Sequence, residues 1–480
     1  MFVLYTLAHG FILALGNAVY WDDWSLLGAN RIDILNEFSQ LGAYHAAWIH
    51  IALLNNLGPW SYKIATFFCV YFSGVLFYWI LQRDMFFDKK MALLIAILYL
   101  TVPLNIARVA AINFPYTLSV FCFMFAWWRM VNSKWISLVF FSLAFTTQSL
   151  LVFYALPIAS QYLREGYKCN LLKYIRDNIQ YLALPFVWFT LKFIYSRPYG
   201  DYAGYNEAYA FSHIVSSVGL QISDFASFVR EDLVSSKTLG GAAIFFLPIL
   251  LLHYVKKFNF ELSFRRGLLL LTLGLAVFIL GCFPYWILGI TPTFWEWTSR
   301  HQLLMPFASS IILATLAGIL YGPIRELTIF LMLTLFVSIN FSNYYDFYRD
   351  WAKQKELIRL MSGSELIKKS TLIIFVDRTP NAIRRNYRSY EWNGLLNRAF
   401  PYSGTRYGLP IGLVAAYENG VYDKSLNRYY TTRSFVKISA RNALMVEILE
   451  RDGLLVLEET PFGIRANGFE WERVCQYRLI

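Results

Sequence analysis

The chain has 480 residues, of which 57% are hydrophobic, 19% aromatic and 15% charged, with a mean hydropathy of +0.43. A soluble globular chain carries about 25% charge, so a water-soluble globule is excluded and a membrane protein is expected. The net charge of +12 is spread over loops and the C-terminal part rather than gathered in a stripe with aromatic interleaving. That placement argues for phospholipid head groups and anionic lipids, and against nucleic acid.

Apolar runs fall at 1–19, 62–81, 91–110, 114–131, 135–148, 149–163, 179–196, 238–255, 267–289, 303–320 and 324–342. A spanning helix needs roughly 20 such residues. The stretch "WISLVFFSLAFTTQSLLVFYALPIASQYL" is long for one untilted span and short for two. Broken near "TTQS", it supplies two short helices and brings the expected number of spans to about 11. Basic residues then gather in alternate loops, at Arg83/Lys89/Lys90, Arg129/Lys134, Arg164/Lys168/Lys173/Arg176, Lys256/Lys257/Arg265/Arg266 and Arg325. Positive-inside bias makes those loops cytoplasmic. Loops 20–61, near 111, 197–237 and 290–302 then face outward, to the exterior, periplasm or lumen, together with everything after 343. The N-terminus is expected inside and the C-terminus outside. The first run ends in "LGNA", which suits a signal-peptide cleavage site, but it lacks a basic leading region.

Cys69, Cys122 and Cys282 lie in apolar spans, Cys169 in a cytoplasmic loop and Cys475 on the outer side, so no disulfide framework is available. Near "NFSNYYDFYRDWAKQKELIRLMSG" charge returns in the pattern of a soluble amphipathic helix. The segment "STLIIFVD" reads as a buried strand closed by Asp377, and "SFVKISA", "LLVLEET" and "ERVCQYRLI" as further strands, with "RNALMVEILERDG" helix-like between them. The expected architecture is an all-α polytopic membrane domain over 1–342, followed by a small α/β extracytoplasmic domain over 343–480.

Candidate chemistry collects on the outer face. The first apolar run gives way to "NAVYWDDWSLLGANRID", which sets Asp22 and Asp23 between tryptophans. The rest of loop 20–61 spaces Leu35, Phe38, Leu41, His45, Trp48 and Ile49 at three or four residues, as in a helix lying on the membrane surface. Loop 197–237 opens with "RPYGDYAGYNEAYAFSH", carrying Tyr199, Tyr202 and Tyr205, and loop 290–302 brings Glu296, Arg300 and His301 to the mouth of the next span. A carboxylate there can accept a proton from a sugar hydroxyl or hold a divalent cation, and a guanidinium can grip a phosphate.

An acidic pair in "YWDDWS", with the weaker segments "RPYGDYAGYN" and "TSRHQLLMPFA" and the whole-chain plan of many spans and an outer C-terminal domain, resembles the GT-C superfamily of integral-membrane glycosyltransferases. The resemblance implies inverting transfer of a sugar from a polyprenyl-phosphate donor to a glycan, lipid or protein acceptor on the outer face of the inner or plasma membrane. A first-loop acid acts as general base in that family, a role that falls here to Asp22 or Asp23, with Arg300 and His301 as candidates to hold the donor phosphate. Many relatives carry an acid in the second outer loop, whereas "NIARVAAINFPYT" offers Arg108 and no carboxylate. That departure leaves the use of a metal open, with Asp22 and Asp23 as the ligands of a divalent cation such as Mg2+ or Mn2+ if one is used, and makes Arg108 a further phosphate candidate. Trp24, Tyr199, Tyr202, Tyr205, Glu296 and Arg406, the last in "YSGTRYGLP", complete the candidate substrate-binding set.

Each residue has a structural competitor. Asp22 suits an N-cap for a helix starting near Trp24, which stabilises by about 1 kcal/mol without catalysis. The tryptophans suit an interfacial belt, Arg300 a pairing with Glu296, Arg108 a head-group anchor, and the tyrosines packing. His45 and His50 have the wrong spacing for shared metal ligation on one helical face. No P-loop, dinucleotide fingerprint, G-x-S-x-G elbow or Cys/His metal spacing occurs. The longest inner loop is too short to hold a nucleotide-sugar site, which favours a lipid-linked donor. A polymerase of lipid-linked glycans and a lipid or solute transporter are the alternatives, although no inverted repeat is visible.

Overall fold

The computed structural model describes residues 1–27, 29–85, 87–164, 171–203, 212–255, 262–294, 297–370, 372–401, 407–410 and 443–462. The protein is mostly helical with one small mixed sheet, and its chain forms two compact units. One comprises Met1–Ala18 with Asn30–Tyr345, the other Val19–Ala29 with Asp346–Ile480.

The first unit is helical. Among the described residues four helices are long and apolar enough to cross a membrane: Trp60–Asp84, Ala111–Arg129, Phe264–Trp286 and Gly322–Ser362. A fifth span results if Ile214–Leu233 and Ser236–Leu252, bent by 61°, count as one. The expected runs at 1–19, 135–148, 179–196 and 303–320 coincide with shorter apolar helices, Phe2–Leu15, Lys134–Ala144, Ile179–Tyr195 and Met305–Ile319. The run at 135–163 breaks as its polar "TTQS" suggests, one helix ending at Ala144 and the next starting at Ser149. The run at 91–110 is helical only over Lys89–Thr101. Pro103 forces its predecessor out of helical geometry, Asn105 turns left-handed at φ +55°, and Arg108 lies in a 3-10 turn, Ile106–Val109.

Two further segments depart from expectation. The first outer loop forms two helices, Arg31–Gln40 and Tyr44–Asn56, because Gly42 takes φ +68° with the Ser196 carbonyl where a Cβ would stand. Phe38 and His50 turn inward while Ile32, Tyr44 and Trp48 stay exposed. Loop 197–237 contains the helix Ser212–Phe228, whose serines dilute an apolar face that packs Phe228 on Phe294 with ring centroids 4.5 Å apart. Glycines let the long helices approach closely: a Cβ on Gly74 would meet Leu100 at 2.5 Å, and one on Gly274 would meet Ile312 at 2.7 Å.

The second unit is an α/β sandwich. Its strands are β1 (Leu372–Asp377), β2 (Tyr407–Pro410), β3 (Ala443–Arg451) and β4 (Leu454–Phe462), in the order β2-β1-β3-β4. β1 runs parallel to both β2 and β3, and β4 is antiparallel to β3. β1 is buried over Leu372–Val376, as its unbroken apolar run requires. The helix Ser389–Ala399 packs on the sheet, with Trp392 stacked on Phe375 at 4.1 Å. The expected helix in "RNALMVEILERDG" is instead β3, entering a hairpin at Asp452 and Gly453. Segments 434–440 and 472–480, read as strands, lie outside the described residues.

Val19 and Trp24 belong to the core of this second unit, with Leu357, Met361, Phe375, Trp392 and Leu396. The acidic pair is thus built into the same unit as the sheet.

Candidate functional site

The acids are positioned by a short stretch with little regular structure of its own. Trp21 is buried yet left-handed at φ +51°, a conformation that costs an aromatic residue about 1–3 kcal/mol. It is followed by a single helical turn, Asp23–Leu26. The surroundings hold this stretch. The Gln354 amide donates to the Val19 carbonyl at 3.1 Å, the Tyr20 hydroxyl donates to the Phe347 carbonyl at 2.8 Å, and Trp24 is buried with the Arg398 guanidinium 4.8 Å from its ring centre. Trp24 is therefore occupied by packing.

The two carboxylates have different fates. Asp23 is 2% exposed and accepts the Tyr20 amide through Oδ2 at 3.3 Å. Asp22 is half-buried and sits at the N-cap position, but its side chain makes no capping bond. Its Oδ1 instead accepts the Tyr390 hydroxyl at 2.6 Å. Among the described residues no group of three or more His, Cys, Asp or Glu gathers as a metal site. The adjacent carboxylates turn to different partners, Asp22 to the Tyr390 hydroxyl and Asp23 to the Tyr20 amide.

Behind Tyr390 lies a buried polar network at the carboxyl end of β1. Asp350 accepts the Tyr387 hydroxyl and the Gln354 amide, each at 2.7 Å, and Lys353 pairs with Asp377 at 2.6 Å. Glu391 pairs with Arg385 at 2.5 Å and accepts the Arg388 amide at 2.8 Å. Burial outweighs these partners and pushes the Glu391 carboxyl up to about 7. Burial, then the neighbouring Asp22 and Glu391 charges, raise the Tyr390 phenol, which stays protonated as a donor.

The phosphate candidates lie in the first unit. Arg108 is 8% exposed, its Nε has no hydrogen-bond partner, and among the described residues no carboxylate pairs with it. Its Nη2 stands 3.5 Å from both nitrogens of His9. Those nitrogens are already engaged: the Leu100 carbonyl, an acceptor only, takes the Nε2 proton at 2.8 Å, which leaves Nδ1 to accept the Tyr344 hydroxyl at 3.1 Å. The guanidinium packs on the imidazole, within reach of the Tyr344 hydroxyl, and its Nε is left without a partner. Arg108 helps line a pocket with Ser73, Tyr99, Asn105 and Thr117.

The 3-10 turn carrying Arg300 and His301, Trp297–Gln302, is stitched to the Arg108 turn. Gln302 accepts the Asn105 amide and Ser299 the Ala107 amide, both at 2.9 Å. The three phosphate candidates thus come from adjoining turns. Arg300 rests 4.2 Å from the Trp297 ring centre, and burial, aided by Arg300, holds His301 well below the usual histidine range. Tyr199 is exposed and its hydroxyl bonds the Ser39 hydroxyl at 2.8 Å, tying this loop to the helix Arg31–Gln40; Tyr202 ends the short turn that follows. Tyr205, Glu296 and Arg406 lie outside the described residues.

Sequence reasoning missed Tyr390, His9 and Tyr344. An ionisable side chain in an apolar run marks His9 for attention; no pattern flags the two tyrosines in a chain with 33. Comparison with protein-family models, with curated proteins and with solved structures finds no match to this chain in any of the three.

Proposed function

We propose that the chain is an integral-membrane glycosyltransferase that moves a sugar from a polyprenyl-phosphate donor to a glycan, lipid or protein acceptor on the outer face of the membrane, with Asp22 as general base. The observation that carries the reading is the state of the Asp22 carboxylate: half-buried, fixed through one oxygen, and not used to cap the helix it precedes. Asp23, buried against backbone, is the structural member of the pair.

In the transfer, an acceptor hydroxyl oxygen bonds to the anomeric carbon while the bond from that carbon to the phosphate oxygen breaks. The hydroxyl proton passes to Asp22, and the bonding pair leaves with the polyprenyl phosphate. Among the phosphate candidates of the first unit, Arg108, buried and with no carboxylate partner among the described residues, is favoured over Arg300, which is stacked on its own tryptophan.

The test is transfer from radiolabelled polyprenyl-phosphate glucose, mannose, galactose and arabinose in proteoliposomes, with monosaccharide, glycolipid and peptide acceptors. Asp22→Asn is expected to lower the rate about 10²–10⁴-fold. Parent-like transfer by Asp22→Asn removes Asp22 from the chemistry, and no transfer by the parent from any donor overturns the reading. A transporter reading draws on the helix pair bent by 61°; label crossing the vesicle without transfer would favour it.

A further inference from the structure

The Asp22 carboxylate is held at one end only. Oδ1 accepts the Tyr390 phenol at 2.6 Å, whereas Oδ2 bonds to none of the described residues. A carboxylate serving as a base needs one oxygen open and its plane fixed, and a single helical turn next to a left-handed tryptophan cannot fix a side-chain plane by itself.

We propose, on the basis of the glycosyltransferase reading, that Tyr390 is the positioning residue of the Asp22 base. Tyr390 stands in the first turn of the helix Ser389–Ala399, and its neighbours are locked: Glu391 by Arg385 and the Arg388 amide, Trp392 by its stack on Phe375. The phenol is thereby delivered from a framework anchored on the central strand of the sheet, the arrangement that preorganised sites require. The charged groups around the phenol are Asp22 and Glu391, which oppose its ionisation, and Arg385 and Arg388, which favour it.

Tyr390→Phe removes one oxygen and keeps the ring. With the donor panel above, kcat is expected to fall about tenfold to a hundredfold while KM for the lipid donor stays within about twofold. In an Asp22→Asn background Tyr390→Phe should cost nothing further, because its effect passes through the carboxylate. A tyrosine that merely held the fold would lower the unfolding temperature and the active fraction, and would add to Asp22→Asn. Asp22→Glu tests the same anchor without touching the helix Ser389–Ala399: the longer side chain keeps its charge but leaves the 2.6 Å geometry, so it should lose kcat and be less sensitive to Tyr390→Phe than the parent. Parent-like kcat in Tyr390→Phe or Asp22→Glu, with Asp22→Asn inactive, overturns the role of Tyr390 and leaves Asp22 as base. Parent-like transfer by Asp22→Asn removes the base itself.

Discussion

A Cβ placed on Gly394 would stand 2.2 Å from Cε3 of Trp24, so the helix Ser389–Ala399 and the acidic segment touch through a position where only glycine fits. Alanine would gain up to about 1 kcal/mol of helix propensity, but wedging a methyl group against a buried indole costs about 1–3 kcal/mol. Gly394→Ala is therefore expected to be destabilising by roughly 1–2 kcal/mol and to slow transfer, since Asp22 lies two residues from the displaced ring. Gly240→Ala, with open space around its Cβ, is the control and should be neutral or slightly stabilising. Thermal unfolding in detergent and the transfer assay read both effects.

Glu391 makes the stability of the second unit depend on pH. Its carboxyl is raised from 4.5 to about 7, first by burial, against the opposing pull of Arg385. The folded state therefore binds more protons than the unfolded state between those values, and stability falls as pH rises from about 4.5 through 7. The loss attributable to this group is about 3 kcal/mol at full ionisation. Hydrogen exchange of 389–399 at pH 5 and pH 8 should show faster opening at the higher pH. Glu391→Gln, which cannot ionise, should flatten that difference; an unchanged difference would assign it to another group.

The β3–β4 hairpin turns on two residues, Asp452 and Gly453, with φ +52° and +76°. Both are left-handed, as a type I′ turn demands, and the turn lets Arg451 pair with Glu458 across the strands. Gly453→Val should destabilise the unit by about 1–2 kcal/mol, whereas Asp452→Asn, which tolerates the same conformation, should be silent. Exchange protection of 443–462 separates the two.

That hairpin also shows what was legible. The dipeptide Asp452-Gly453 between "ALMVEILER" and "LLVLEET" is a strong local hairpin signal, but the run before it also fits a helical period, and the helical reading masked the turn. β1 was readable because five consecutive apolar residues closed by Asp377 suit a strand buried on both faces. The apolar character followed from composition, and the four helices long enough to cross a membrane from run length. Helix ends were not readable where a left-handed Asn105 or Gly42 intervened, since those conformations are imposed by neighbours far along the chain. At the candidate site, the acidic pair stood out as charge beside an apolar run. The separate partners of its two members did not, because the residue that holds Asp22 is Tyr390, 368 residues away.

Arg108 separates a structural from a functional reading by the sign of its stability effect. A buried cation without a carboxylate partner is an energetic liability, so exchanging it for an apolar side chain of similar length is neutral or stabilising when the charge serves only the fold. Arg108→Met is accordingly expected to leave the unfolding temperature unchanged or higher. If the guanidinium holds the donor phosphate, the same variant forfeits charge-assisted hydrogen bonds of about 1.5–3 kcal/mol, which raises KM for the polyprenyl-phosphate donor about tenfold to a hundredfold. Arg300→Gln should change KM less, because Arg300 is engaged with Trp297 and His301. Unfolding in detergent together with donor titration decides the matter. A destabilised Arg108→Met with parent-like KM would make the residue a packing element of the His9 and Tyr344 cluster and return the phosphate role to Arg300.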